Sequence, residues 1–290
     1  RAMGYSVRVL PGLSSVQLLA TAVGRPWQDW KLVSAHGRVC DPIAEVLSHP
    51  QVFFLTGGGD SPATLCAKLT AAGLGAAHAL VGETLGTPAE AIRFGLAREL
   101  AEQAFAPLSV LLIEREALPS RRTPGLPDDA FIRGAVPMTK QEVRAAALAK
   151  LAVIPTDILW DVGAGTGSVS VELALAAPGG HVYAVECDPE ACGLIRQNRE
   201  TFHACNLTLV EGRAPAALAD LPAPDAVFIG GTKGGMEAVL DEVLGKNPNA
   251  RICISAIALE TLGAAIAALT ARGLTAEVTQ IAVSRTKPAG

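Results

Sequence analysis

The chain has 290 residues, half of them hydrophobic, 18% charged and 4% aromatic, with a formal net charge of −4. That length gives room for two α/β domains, each with ample material for a buried core. The acidic balance and scarce aromatic rings argue against a nucleic-acid surface, and no apolar run reaches the ~20 residues of a membrane-spanning helix, so the cytoplasm is the default compartment.

In chain order, Tyr5 to Leu10 reads as a strand, and Pro11-Gly12-Leu13-Ser14-Ser15 as the turn into a helix from about Val16 to Val23, with Ser14 or Ser15 as its cap. A strand over 31–35 and a short helix opened by Asp41-Pro42 follow. The buried strand Val52-Phe53-Phe54-Leu55 ends in Thr56-Gly57-Gly58-Gly59-Asp60. A helix over 62–72, a strand over 77–82, a helix over 88–97 and a strand over 108–113 complete the unit, in which two or three strands can pair antiparallel. His36, in a strand-end loop, is the histidine to suspect first of chemistry, although such histidines are more often only hydrogen-bonded or solvated. The six cysteines form no C-x-x-C pair and read as small buried or semi-buried thiols, with no metal site expected.

Four phrases in this half stand in a recognisable order: V-x-P-G-L-S-S-V-Q (Val9 to Gln17), R-P-W-Q-D (Arg25 to Asp29) with H-G-R (His36 to Arg38), G-E-T-L-G-T-P-A-E (Gly82 to Glu90) and P-L-S-V-L-L-I-E-R (Pro107 to Arg115). Together they resemble the C-terminal half of the tetrapyrrole (uroporphyrinogen/precorrin) methylases, which use S-adenosylmethionine (SAM). The resemblance implies that this family's N-terminal subdomain, with its glycine-rich and Gly-Asp-Pro loops, should precede Arg1. The chain would then carry half of that SAM site, with Thr56 and the backbone around Pro107–Val110 as its remnants.

Glu116 to Arg122, then Pro124, Gly125 and Pro127, have the composition of a linker. The expected organisation is a first domain over 1–118, a linker over 119–126 and a second domain over 127–290. Thr139 with Glu142 makes a T-x-x-E capping box for a helix running to about Leu151, with Val143, Ala146, Ala147 and Leu151 on its apolar face.

The apolar run Ile158 to Val162 stops at Gly163-Ala164-Gly165-Thr166-Gly167, and a helical pattern over 168–177 begins at once. Strand, tight loop and helix is the geometry that turns backbone N–H groups and a helix N-terminus toward a ligand. A dinucleotide fingerprint would need glycine at 168, where Ser168 stands. The D-x-G-x-G-x-G that begins at Asp161 suits a ligand with a cationic amino-acid part better than a pyrophosphate. After the stop at Pro178-Gly179-Gly180, a strand over 181–186 ends in Glu186, an acid placed to accept both hydroxyls of a ribose. A helix over 189–203 capped by Asp188 leads to a strand over 207–210 and the loop Glu211 to Pro215, where backbone at Ala214 suits an adenine edge. A strand over 225–229 enters Gly230-Gly231-Thr232-Lys233-Gly234-Gly235, followed by a helix over 236–245, a strand over 251–255, a helix from Leu259 or Glu260 and a strand over 275–283.

Asp161, Gly163, Gly165, Gly167 and Glu186 resemble motif I and the acid that follows it in class I SAM methyltransferases. The segment around Thr139 resembles the decarboxylating precorrin methyltransferases, in which a tetrapyrrole methylase half is fused to a class I half. The fold class implied is α/β: a partial tetrapyrrole-methylase domain, then a Rossmann-like class I domain without its last strand. The cofactor implied is S-adenosyl-L-methionine, with Thr139, Asp161, Gly163, Ala164, Gly165, Thr166, Gly167, Glu186 and Ala214 around it. The resemblance further implies methylation of a small tetrapyrrole, precorrin-6Y, at C5 and C15, with decarboxylation of an acetate side chain in cobalamin biosynthesis, by a homo-oligomer that is a tetramer in the free-standing C-terminal type.

No catalytic residue is assigned. An enamine-like ring carbon is already nucleophilic and needs mainly positioning, and the conjugated macrocycle is an electron sink for decarboxylation. Glu172 reads as structural or solvated, and Lys140, Arg213 and Lys233 as partners of substrate carboxylates or as plain surface charge. The Gly230–Gly235 loop lacks the N/D-P-P-Y/F phrase of amino-group methyltransferases, which favours a carbon or oxygen acceptor. Rival readings are a class I methyltransferase of RNA or protein and a non-catalytic SAM-binding module. Because the class I sheet ends on a strand inserted between the fifth and sixth, and only seven residues follow Val283, the sequence reads as cut at both ends, with the strand over 275–283 short of its neighbour.

Overall fold

The computed structural model describes residues 12–115 and 124–286, which fall into two compact units, Arg1–Leu118 and Pro119–Gly290. The strand expected over Tyr5 to Leu10 and the linker composition of Glu116 to Arg122 lie outside the described residues.

In the first unit, α1 (Ser15–Ala22) starts after Ser14, whose N–H donates to the Gln17 side chain at 2.9 Å. Strand β1 (Lys31–Ser34), α2 (Pro42–Ser48), β2 (Gln51–Leu55), α3 (Pro62–Leu69), β3 (His78–Glu83), β4 (Ala91–Leu96), α4 (Ala97–Leu100) and β5 (Ser109–Glu114) follow. Asp41 and Ser61 cap α2 and α3 with their side chains, each ahead of a proline in the first turn. The sheet runs β1-β2-β5-β3-β4; β1 and β2 are parallel and every other pair is antiparallel. The helix expected over 88–97 is instead β4 and the single turn of α4. The turn Thr84 to Glu90 folds back through its own hydrogen bonds, and β4 then pairs with β3 from Ala91 opposite Glu83 to Leu96 opposite His78. Long-range ladder bonds override the local helical preference of this alanine-rich stretch.

In the second unit, α5 (Gln141–Leu151), β6 (Ile158–Val162), α6 (Ser168–Ala176), β7 (His181–Glu186), α7 (Pro189–Thr201), β8 (Leu207–Glu211), β9 (Ala226–Ile229), α8 (Met236–Lys246), β10 (Arg251–Ile254) and α9 (Leu259–Thr270) alternate helix and strand, except that β8 and β9 are joined by only the 3-10 turn Ala216–Leu218. The sheet is ordered β10-β9-β6-β7-β8 and all its pairings are parallel. Consecutive residues on a strand face opposite layers. Leu159, Val182, Ala184 and Phe228 pack with α5, α6 and α7, while Trp160, Val185, Val227 and Ile229 pack with α8 and α9. A sheet covered on both faces needs near-continuous apolar strands, which these are. Its topological switch lies at the carboxyl end of β6, between β7 and β9.

Two expectations fail here. Thr139 does not cap α5: Lys140 is the N-cap, the Thr139 carbonyl is taken by Arg144, and Glu142 is drawn to Arg285. The stretch 275–283 forms no strand. Its alternation is adequate, but a strand requires ladder partners for its N–H and C=O groups, and none stands beside it among the described residues.

Candidate functional site

The site forms where β6 and β7 end. Gly163 and Ala164 donate backbone N–H groups to the Val185 carbonyl at 3.0 and 3.2 Å, which folds the loop back over β7. Gly163 has φ of +72°, and a β-carbon there would lie 2.3 Å from the Gly231 carbonyl oxygen, so glycine is demanded by conformation and by contact alike. Gly165 lies under the segment that precedes α5, since a β-carbon on it would reach the Pro137 carbonyl at 3.3 Å. Gly167 ends the loop as the residue before α6 and packs on Ile195.

Asp161 is fully buried. Ser170 donates its hydroxyl to one carboxylate oxygen, while the other, Oδ1, has no partner; nor has the buried hydroxyl of Thr166. Burial pushes the Asp161 carboxyl up to about 7; the Ser170 hydrogen bond opposes this, and the Glu186 charge adds to it. Glu186 is ordered by three backbone donors: Cys187 and Asp188 on one oxygen at 2.7 and 2.9 Å, and Gly165 on the other at 2.9 Å. Two carboxylate oxygens offer about four lone-pair positions, so capacity remains for hydroxyl donors.

The structure thus brings together Asp161, Gly163, Ala164, Gly165, Thr166, Gly167 and Glu186. Thr139 stands half-buried where the overlying segment enters α5. Ala214 lies across the cleft in the loop after β8, where its carbonyl would be 3.9 Å from a β-carbon on Gly235. The two orphaned polar atoms and the glycine cradle fit a ligand with a cationic amino-acid end and a nucleoside. In the first unit, Thr56 and the Pro107–Val110 stretch also meet: the Thr56 hydroxyl donates to the Ser109 carbonyl, and the Thr56 carbonyl lies 3.3 Å from His36 Nδ1. His36 itself is exposed. Lys140, Arg213 and Lys233 are exposed as well, and the last two share a cavity.

Several residues escape the motif reading. Arg144 is fully buried and donates to Glu172 at 2.7 Å, to Asp128 at 2.9 Å and to the carbonyls of Leu126 and Thr139, with its guanidinium over the Phe131 ring. Glu172 in turn accepts the N–H groups of Gly125 and Leu126. Asn198 bonds both backbone groups of Ile132 and the Thr166 carbonyl. These posts pin residues 125–139 against the loop. A signal existed: Arg144 shares one helical stripe with Ala147, Leu148 and Leu151, and Asn198 shares one with Ala191, Leu194 and Ile195. A long polar side chain on an apolar stripe requires buried partners.

The model of the precorrin methyltransferase domain matches residues 129–290, more than half of the chain. The chain belongs to this family. The model of tetrapyrrole (corrin/porphyrin) methylases matches residues 1–101. Among curated relatives of this family member, precorrin-6Y C(5,15)-methyltransferase (decarboxylating) of a Sinorhizobium species is 39% identical over 249 residues, which cover 83% of this chain and 60% of that protein. The chain therefore spans less than two thirds of that relative's length. Cobalt-precorrin-6B C(15)-methyltransferase (decarboxylating) of Salmonella typhimurium is 43% identical over 49% of this chain and 74% of its own length. Among solved structures, precorrin-6Y C5,15-methyltransferase from Geobacter metallireducens superposes with a TM-score of 0.55 at 42% identity, covering 57% of this chain and 89% of that one. The C-terminal domain of the same enzyme from Rhodobacter capsulatus gives 0.52 at 38% identity, over 58% and 89%.

Proposed function

We propose that the Pro119–Gly290 unit binds S-adenosylmethionine and directs methylation at C15 of a precorrin, with decarboxylation of an acetate arm, and that the Arg1–Leu118 unit belongs to the half that methylates C5. The observation that carries this is the cradle itself: a buried acid with an unpartnered oxygen, a glycine loop and a second acid at the next strand's end. The two curated relatives, named for decarboxylating precorrin methylation, support the substrate class.

Bound SAM supplies an electrophilic methyl group. Asp161 and the Thr166 hydroxyl take the amino-acid end, each through a buried atom that otherwise lacks a partner. Glu186 accepts the ribose hydroxyls, already oriented by three amides. Ala214 offers backbone to the adenine edge. The segment through Thr139 covers the glycine loop and excludes water. A reduced tetrapyrrole brings its own nucleophilic carbon, so alignment with the methyl group is the protein's main task. The resemblance to the free-standing C-terminal type supports a homo-oligomer, and the cytoplasm is the default compartment of our reading.

Incubation with SAM and precorrin-6Y, with product masses read by spectrometry, tests this. Gain of a methyl group with loss of carbon dioxide is expected; unchanged substrate together with no heat on titration of SAM rejects it.

A further inference from the structure

We infer that the cleft between the loops after β8 and β9 is a polycarboxylate site, in which Arg213 and Lys233 receive carboxylate arms of the tetrapyrrole. This rests on the substrate class proposed above and adds where and how that substrate is held. A cavity of about 500 Å³ opens there, lined by Arg213, Ala214, Pro215, Thr232, Lys233 and Gly235 among others. Apart from the two cations its walls are small and uncharged, which suits a flat macrocycle with charged arms.

Both cations lack a carboxylate partner among the described residues. Arg213 donates to the Lys233 carbonyl at 3.3 Å, and the Lys233 ammonium rests on Cys187 Sγ at 3.6 Å. Sulfur is a weak acceptor, which an incoming carboxylate displaces easily. Neither neighbouring acid pairs with these cations: Glu211 pairs with Arg196, and Glu186 is turned toward the glycine loop by three amides. Lys233 has φ of +48°, a left-handed conformation uncommon outside glycine, and the Arg213 guanidinium sits on its carbonyl. One cation thus holds the backbone that aims the other. Lys233 reaches the residue directly after Glu186, so arms bound here bring the macrocycle to the cradle's edge. A chain of net charge −4 repels a polyanion at long range, and local cations have to overcome that.

Titration of the full chain with uroporphyrin I and with its methyl ester, followed by fluorescence, separates charge from ring. The acid is expected to bind, the ester at least tenfold more weakly, and the acid's affinity to fall as salt rises. Arg213→Gln and Lys233→Gln should each weaken the acid about tenfold, with SAM affinity by calorimetry held within twofold, and Lys150→Gln, whose exposed ion pair is with Glu277, should be without effect. Equal binding of acid and ester, or a double variant that binds the acid like the parent chain, overturns the inference. Charge-dependent binding without SAM heat or methyl transfer would sink the proposed function and leave this site standing.

Discussion

Asn198 donates its side-chain amide to the Thr166 carbonyl at 2.9 Å and to the Ile132 carbonyl at 3.0 Å, tying the glycine loop to the segment that covers it. Asn206, at the opposite end of the sheet, similarly donates to the carbonyls of Ala174 and Ala177 at 3.0 and 2.7 Å. The two form a matched pair for experiment. Asn198→Asp and Asn206→Asp each set a carboxylate against carbonyl oxygens, at about 1–3 kcal/mol of stability apiece. Only Asn198→Asp should also raise the SAM Kd, by about tenfold, as read by calorimetry beside thermal melts. Equal SAM affinity in the two variants would show that Asn198 serves folding alone.

Asp161 gives a pH signature. Its folded-state pKa of about 7 lies above the ordinary carboxylate value, so the native state holds a proton that the unfolded chain releases. Its contribution is favourable below about pH 4 and is lost as pH rises through about 7. Asp161→Asn keeps an acceptor for Ser170 and removes the charge. Chemical denaturation should find this variant more stable than the parent at pH 8, by several kcal/mol at most, and nearly equal at pH 4. SAM heat should vanish in the same variant.

Glycines of the second unit divide by what a methyl group would meet. Gly163→Ala places a β-carbon 2.3 Å from the Gly231 carbonyl in a left-handed conformation, whereas at Gly193, inside α7, nothing lies within 4 Å. Gly193→Ala should stabilise by about 0.5–1 kcal/mol through helix propensity. Gly163→Ala should lose SAM binding and unfold at lower denaturant, with both outcomes measurable in one calorimetry and denaturation series.

Arg144→Leu leaves the buried Glu172 without its cation and the half-buried Asp128 with only Arg285, at 3.5 Å, which costs about 3–5 kcal/mol. Adding Glu172→Gln removes the orphaned charge and keeps an acceptor oxygen for one of the Gly125 and Leu126 N–H groups, which sit on different carboxylate oxygens. The double variant should therefore regain part of the loss, and a double-mutant cycle measures the coupling. Additive losses would refute the network.

The D-x-G-x-G-x-G loop and Glu186 were legible because glycine spacing and strand-end acids are local features. The alternation from β6 to α9 was legible for the same reason, through apolar runs broken by Gly, Pro and Asp. What stayed hidden depends on distant partners. Ala91–Leu96 reads as helix until β3 offers it a ladder, and the partner that Arg144 needs on its apolar stripe is unknown until Glu172 is seen to face it. Thr139 satisfied a capping pattern that Arg144 and Arg285 jointly dismantle. The alternation over 275–283 promised a strand, but periodicity alone supplies no neighbour.

Because every pairing in the second sheet is parallel, its two rims have separate duties. The carboxyl rim gathers the cradle and the cationic cleft. The amino rim is fastened by Arg251 to Asp157 and by Asn206 to the turn before β7. Reinforcement for heat tolerance can therefore be confined to the amino rim, and ligand chemistry can be rewritten at the carboxyl rim, with neither programme obstructing the other.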